Sequence, residues 1–595
     1  MNDKVSETPA KSLPEIERPE KAGQFEMGWG SDLVAHMLRE FDLPYIALNP
    51  GASYRGLHDS LVNYLGNRDP QMLVALHEEH AVAMAHGYAK VTGRPMAVAL
   101  HSNVGLMHGT MAIFNAWCDR VPMFILGATG PMDASRRRPW IEWIHTAKDQ
   151  GALIRDYVKW DDQPATANAV VESMLRAWQI TRTPPHGPVY VCLDLGMQED
   201  AIATPPPIPD IARYGPGDPP SPSQSSIDRA VSLLTEAKRP LILAGRCDRT
   251  EEAWQKRIRL AELLDARVLT DLKAGSAFPT DHRAHPLPPV KRPDAAASKL
   301  FADADAVLSL DWIDPAGTFK LATGDASISA AFINCTADPY LHNGWSMDHH
   351  ILPPADVRML APPDVAIDAL LPALEAKLEN QSRRSDWAAD AAPKQTPGKR
   401  GEAGAMNYYD MGAALEEALA GRPATLIRVP LGWPGGAMHF REPLAMLGGD
   451  GGAGIGSGPG MAVGAALALR GSGRIPIAIL GDGDCLMGLT ALWTASKYRI
   501  PLLVIVGNNR SYFNDVLHQE QVAVDRNRPP ENRFVGQEIT DPTPDIAQLV
   551  AGLGWEGKGT VNSVPDLMAA LQWAIDGVLA GGQRLIDVEV ARVYN

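Results

Sequence analysis

The sequence predicts an α/β protein of three doubly wound parallel-sheet domains. Three observations predict it. Short apolar runs alternate with helical patterns along most of the chain, as expected for strands covered by helices on both faces. Two stretches rich in Pro, Gly, Ser or charge, 204–226 and 379–405, interrupt that alternation and read as linkers. The length of 595 residues, 45% of them hydrophobic, suffices for several domains of ordinary size without disulfide or metal staples.

Residues 1–26 are polar and Pro-containing and read as an N-terminal tail. From 27 to 205, PYIALNP, MLVALHE, PMAVALHS, PMFILGAT and PVYVCLDL read as buried strands, with AVAMAHGYAKVTG and LMHGTMAIFNAWCD as helices between them. After a linker at 206–224, the second block, 225–375, carries the strands PLILAG, ARVLTDL, AVLSLDW and AAFINCT. A second linker, 376–405, leads to the third block, 406–595, with TLIRVP, PIAILGDG, PLLVIVGNN and RLIDVEV.

Charge and composition narrow the partners. The 55 basic and 70 acidic residues give a formal charge of −15, and no Lys/Arg block offsets it, so neither nucleic acid nor an anionic membrane is expected. No apolar run approaches the ~18 residues of a membrane span. The start, MNDKVSETPAKSLPEIERPEK, is charged and lacks the apolar core of a secretory signal, so a cytoplasmic location is expected. The cysteines, 5 in number and widely spaced, include no CxxC and argue for neither a disulfide framework nor zinc.

The strongest chemical signal lies in the third block. The strand PIAIL runs into Gly481-Asp482-Gly483-Asp484; the helical pattern LMGLTALWTASKY follows, then the strand PLLVIV and Gly507-Asn508-Asn509. In a parallel sheet this places a carboxylate and an amide at the carboxyl edge, where ligands bind. Both offer hard oxygen ligands suited to Mg²⁺ holding a diphosphate, and the glycines admit phosphate oxygens to the backbone.

That pairing resembles the cofactor motif of the thiamine-diphosphate-dependent enzymes, in the superfamily of benzoylformate decarboxylase, acetohydroxyacid synthase and pyruvate oxidase. The resemblance implies that Asp482 and Asn509 hold Mg²⁺ by their side chains and Ser511 by its carbonyl. It places the stretch GGDGGAGIGSGPG against the cofactor, with Gly454, Ile455 and Gly456, then Gly481, Gly483 and Asp484, as cofactor-binding, and Ile455 under the bent cofactor. It names the blocks pyrimidine-binding, middle and diphosphate-binding domains.

In the first block, LHEEHAVAMAHGYAKVTG puts Glu78 at a strand-to-helix junction, where a carboxylate also suits the helix dipole. The resemblance gives Glu78 the role of the glutamate that activates the cofactor's aminopyrimidine, with Glu79 the neighbouring candidate. LHEEHAVAMAHGYAKVTGRPMAVALHSNVG is similar to the benzoylformate decarboxylase branch, whose catalytic histidine falls at His101, beside Ser102. FPTDH in the middle block resembles the segment of that branch's second catalytic histidine, which implies His282, with His285 as rival. The chain departs from that branch after Asn49-Pro50-Gly51: Ala52 precedes Ser53, which takes the place of a substrate-binding serine, and an insert brings Tyr54, Arg55 and His58 close by. RRRPWIEWIHT, 136–146, reads as a loop against another subunit or as an anion- or CoA-recognising rim. The middle block lacks GxGxxG and the FAD-binding phrase of the synthases, so FAD is not expected.

The resemblance therefore implies a thiamine-diphosphate- and Mg²⁺-dependent C–C lyase that decarboxylates a 2-oxo acid through an enamine intermediate. A carboligase of the acetolactate synthase kind or a 2-hydroxyacyl-CoA lyase are the alternatives. It also implies a homodimer with shared active sites, and pairs of dimers as a homotetramer.

Overall fold

The computed structural model describes residues 16–22, 25–338, 352–379, 387, 405–449 and 451–593. Most of the expected tail and most of the second expected linker lie outside the described residues. The described chain forms three sheets, each parallel throughout, with helices on both faces. The first contains β1 (Tyr45–Leu48), β2 (Gln71–Val74), β3 (Ala97–Ala99), β4 (Met123–Thr129), β5 (Trp160–Asp162) and β6 (Pro188–Asp194), in the order β2-β1-β3-β4-β6-β5. The second contains β7 (Pro240–Ala244), β8 (Arg267–Thr270), β9 (Ala306–Leu310), β10 (Ala331–Thr336) and β11 (Val357–Leu360), in the order β11-β10-β9-β7-β8. The third contains β12 (Ala424–Arg428), β13 (Ile475–Gly481), β14 (Leu502–Asn508), β15 (Glu556–Val561) and β16 (Gln583–Glu589), in the order β12-β13-β14-β16-β15.

Every apolar run expected as a strand is one. β4 and β6 bury all of their residues, as strands covered on both faces must. β5, β11 and β15 have no counterpart among the expected strands. The helical pattern after Gly481-Asp482-Gly483 is also not one helix: Asp482–Gly488 and Ala491–Lys497 are separate helices.

The first and third sheets share one core. Helix Glu78–Thr92 and helix Gly458–Ala468 cross so closely that a Cβ on Gly87 would lie 2.0 Å from the Met461 carbonyl oxygen, and one on Gly464 would lie 1.8 Å from that of Met84. Only glycine permits that approach. Met84, Val82, Val463 and Leu467 pack in one buried cluster with β3 and β14 residues. Each such side chain contributes roughly 1.5–3 kcal/mol by burial. The middle domain is pinned to both neighbours by Arg249, whose guanidinium donates to the carbonyls of Lys90, Ala274 and Leu447 at 2.7, 3.1 and 3.0 Å.

Candidate active site

In the first sheet the chain adds β2 on one side of β1 and then returns to place β3 on the other, so the strand order reverses between β1 and β3. Ligands of open α/β sheets bind outside the strand ends at such a reversal. The loop after β1 carries Gly51 and Ser53; the loop after β3 carries His101 and Ser102. Ser53 Oγ lies 2.9 Å from His101 Nδ1, and the Ser102 N–H donates to Ser53 Oγ at 3.1 Å. Gly51 allows this: a Cβ there would sit 2.4 Å from His101 Cβ and Cγ. The His145 and His101 rings meet in a T-shaped contact, with centroids 4.9 Å apart. Burial, and then the neighbouring His145, hold the His101 pKa below its ordinary value. Ser102 is fully buried, and its hydroxyl donates to the His145 carbonyl at 2.5 Å, so its side chain braces the 131–146 loop.

Glu78 follows β2 at the head of helix Glu78–Thr92. His77 caps that helix by accepting the Glu79 N–H on Nδ1 at 3.2 Å, and Gly93 ends it in a left-handed conformation. Glu78 is 5% exposed, and its Oε2 lies 3.0 Å from His108 Nδ1. Gly105 makes room for it, since a Cβ there would be 3.1 Å from Oε1. His108 stacks on His77 with centroids 4.8 Å apart. Sequence reasoning missed His108. The available signal is spacing: 101, 105 and 108 lie at i, i+4 and i+7 on one helical face. The structure also separates the two glutamates. Glu79 points toward the third domain, and burial followed by the charge of Asp484 raises its pKa.

At the third sheet's edge, Asp482 and Asn509 follow the adjacent strands β13 and β14. The Ser511 N–H donates to Asp482 Oδ2 at 3.1 Å and to Asn509 Oδ1 at 3.0 Å. Asp482 Oδ1 accepts the Gly483 N–H at 3.0 Å. The Asp482 carboxylate is 5% exposed, and burial pushes its pKa up to about 6 against those backbone donors. Asn508, by contrast, is structural: its Nδ2 donates to Asp587 Oδ1 at 3.0 Å. Asp484 holds the Gly-rich loop, with Oδ1 accepting the N–H groups of Gly456 and Gly458 at 2.7 and 3.3 Å and Oδ2 accepting Arg428 Nε at 2.8 Å. That loop is seated on the first domain through Asn115, which donates to Ser457 Oγ at 3.0 Å. Ile455 is half-buried between Gly454 and Gly456, the latter at φ +103°.

Other sequence candidates lie elsewhere. His282 stays within the middle domain: its Nδ1 accepts the Ala284 N–H at 3.1 Å and its Nε2 faces Glu262 at 3.4 Å. His285 is fully buried on Thr270, at 2.9 Å, and burial drives its pKa down to about 3. Neither is brought to Glu78 or His101 within the chain. The Tyr54 hydroxyl donates to the Asn49 carbonyl, and Arg55 pairs with Glu199 at 2.5 Å. His58 sits on the same short helix as Arg55, Arg55–Asp59. The arginines of the 136–146 loop hold the loop itself: Arg136 pairs with Asp200, Arg137 donates to the Pro131 and Met132 carbonyls, and Arg138 pairs with Glu142.

Comparison with known proteins identifies the family. Family descriptions match in three segments: "Thiamine pyrophosphate enzyme, N-terminal TPP binding domain" over residues 28–153, the central domain over 227–319, and the C-terminal TPP binding domain over 432–588. The chain belongs to the thiamine pyrophosphate enzymes. A benzoylformate decarboxylase of Pseudomonas aeruginosa is 28% identical over 455 residues, covering 75% of this chain and 80% of that protein. The acetolactate synthase large subunit of Haemophilus influenzae is 23% identical over 539 residues, covering 89% of each. Among solved structures, a thiamine diphosphate-dependent 4-hydroxybenzoylformate decarboxylase of Rhodococcus jostii superposes with a TM-score of 0.76 at 23% identity, covering 95% of this chain and 100% of its own. The benzoylformate decarboxylase of Polynucleobacter necessarius does so with a TM-score of 0.77 at 20% identity, covering 96% of this chain and 100% of its own.

The residues present fit the cofactor. Asp482 is a buried carboxylate whose partners among the described residues are backbone N–H groups and no cation, an arrangement that a divalent ion would relieve. A Cβ on Gly481 would meet nothing within 4 Å, so the strand end opens onto space.

Proposed function

We propose that this chain is a thiamine-diphosphate- and Mg²⁺-dependent lyase that decarboxylates a 2-oxo acid. The observation that carries the reading is the Ser53–His101 pair at the strand-order reversal, one strand away from Glu78. A carboxylate placed to activate the cofactor thus stands near a histidine able to manage protons at neutral pH. Bound thiamine diphosphate supplies a nucleophilic carbon that accepts the electrons released when the C–C bond breaks. Asp482, Asn509 and Ser511 hold Mg²⁺ and through it the diphosphate. Glu78 shares a proton through its carboxyl group in a dry site. Asp484 fixes the Gly-rich loop on which the cofactor rests.

The relatives named for benzoylformate and 4-hydroxybenzoylformate support aryl 2-oxo acids as the first substrates to try. The test is incubation of the protein with Mg²⁺, thiamine diphosphate and a panel of 2-oxo acids, reading CO₂ and products by mass spectrometry. CO₂ with a free aldehyde is the expected result. CO₂ with only coupled hydroxyketones would replace the lyase with the carboligase reading that the acetolactate synthase relative supports.

The resemblance to the thiamine-diphosphate enzymes supports a homodimer in which each site draws Glu78 and His101 from one copy and Asp482, Asn509 and Ser511 from the other. Mixing inactive Glu78→Gln subunits with inactive Asp482→Ala subunits then creates one intact site per mixed dimer, and activity partly returns. Verified exchange without recovery would place each site within one chain.

A further inference from the structure

We infer that Ser53 is a positioning residue that locks His101 as a neutral imidazole with its proton on Nε2, so that His101 meets the substrate as a hydrogen-bond donor. The inference rests on the proposed lyase reading for its functional meaning, but its geometry stands apart from it. A backbone N–H can only donate. The Ser53 N–H reaches His101 Nδ1 at 3.5 Å, a long contact that favours Nδ1 as an acceptor there. The Ser53 hydroxyl completes the assignment. Its oxygen accepts the Ser102 N–H at 3.1 Å, and its hydrogen is then directed to Nδ1 at 2.9 Å. With two donors on Nδ1, the single proton of neutral imidazole sits on Nε2, where His101 has no hydrogen-bond partner among the described residues.

The surroundings keep this arrangement rigid. Ser53 is 5% exposed, and its carbonyl accepts the fully buried Gln198 Nε2 at 3.0 Å. Gly51 lets the loop press against the ring. Ser102 holds a left-handed backbone, φ +48°, that aims its N–H at Ser53. The groups facing His101 are Ser53 on the loop after β1, His145 on the 131–146 loop, and Glu78 after β2. Burial and His145 outweigh Glu78 and favour the neutral ring. The consequence for chemistry is a division of labour. Ser53 has its hydroxyl engaged with the protein, and so orients the histidine in place of binding a substrate carboxylate. His101, with a fixed donor on Nε2, hydrogen-bonds a carboxylate or carbonyl oxygen and can deliver its proton to charge developing on that oxygen; it cannot begin as a base through that atom.

The test reads the tautomer directly. The full-length protein, with its 16 histidines labelled with the heavy nitrogen isotope, is examined by NMR, and the His101 signals are assigned by their loss in His101→Asn. Expected is a pyridine-like Nδ1 and a pyrrole-like Nε2 in the wild type at neutral pH. Ser53→Ala removes the 2.9 Å hydroxyl donor and leaves only the long 3.5 Å backbone donor, and is expected to give a mixture of tautomers and to lower kcat roughly tenfold, the scale of one lost hydrogen bond, with KM changed less. Ser53→Thr, which returns the hydroxyl, is expected to restore both; if it fails to fold, the alanine variant alone decides. A proton on Nδ1 in the wild type, or a tautomer unchanged in Ser53→Ala, would overturn the inference. If no 2-oxo acid is turned over, the lyase reading fails while the NMR result still decides the tautomer.

Discussion

The edges of the first and third sheets hold contrasting chemistry on similar topology. At the first, Ser53, Glu78 and His101 follow three neighbouring strands and bond to one another or to further side chains, His108 and His145 among them. Imidazoles and a carboxyl group in close contact make a network that can hold and pass protons. At the third, Asp482 and Asn509 are bonded mainly by backbone N–H groups, and glycines border them. That edge offers a fixed negative charge and open backbone, which anchors an ion and a phosphate but moves no proton. The comparison teaches that one layered architecture separates anchoring from reactivity by the residues placed after its strands.

The sharpest way to break the comparison is to remove one carboxylate from each edge. Asp482→Ala is expected to weaken cofactor binding in Mg²⁺ by at least roughly 100-fold, a loss that even substitutions around metal ligands can reach. Glu78→Gln is expected to leave affinity within a few-fold, because it alters proton sharing and leaves the anchor intact. Titration calorimetry on both variants decides it. Equal losses would show that the two edges share the work of holding the cofactor.

How far the sequence revealed this division differs by element. The buried central strands were legible because burial on both faces forces continuous apolar runs. The three strands that escaped notice, β5, β11 and β15, are all edge strands of their sheets. WDD and EGKGTV mix charge or glycine with few apolar residues, VRML alternates buried and exposed positions around a charge, and β15 is mostly exposed. A strand with one neighbour and solvent beside it has no need of an apolar run. The third-sheet edge was legible because Asp482 and Asn509 lie in a short, regular strand–helix–strand unit. The first-sheet edge was only half legible. His108 reaches it from the helical face it shares with Gly105, a spacing that alone does not single out a histidine, and His145 arrives from a distant segment by tertiary packing that no local spacing announces.

The shared core between the two edges offers a smaller effect. Gly464→Ala would drive a methyl group into the Met84 carbonyl and force helices Glu78–Thr92 and Gly458–Ala468 apart. The expected cost is about 1–3 kcal/mol, typical of overpacking, seen as a lower urea midpoint with weaker cofactor binding. A midpoint unchanged from wild type would mean that the two domains are held together elsewhere, with Arg249 the next element to test.

The smallest effect concerns the middle domain, which lies between the other two in sequence and supplies neither edge. His285 is fully buried, and burial lowers its pKa from 6.5 to about 3. Folded, it stays neutral; unfolded, it takes up a proton below about pH 6.5. Its contribution to stability is therefore fully present above pH 6.5 and is lost as pH falls toward 3. Between those limits the loss approaches about 1.4 kcal/mol per pH unit. His80 in the shared core, lowered to about 4 by burial and then His77, pulls the same way over a narrower window. Asp482, raised to about 6, pulls the opposite way in the metal-free protein, because the folded state then binds a proton that the unfolded state has already released. Total stability against pH thus mixes opposed slopes, and the informative quantity is a difference. Urea unfolding of wild type and His285→Gln at pH 7 and pH 5 should show the variant losing less stability on acidification, by up to about 2 kcal/mol. Equal losses would show that His285 is protonated in the folded protein, and that the middle domain admits water at Thr270.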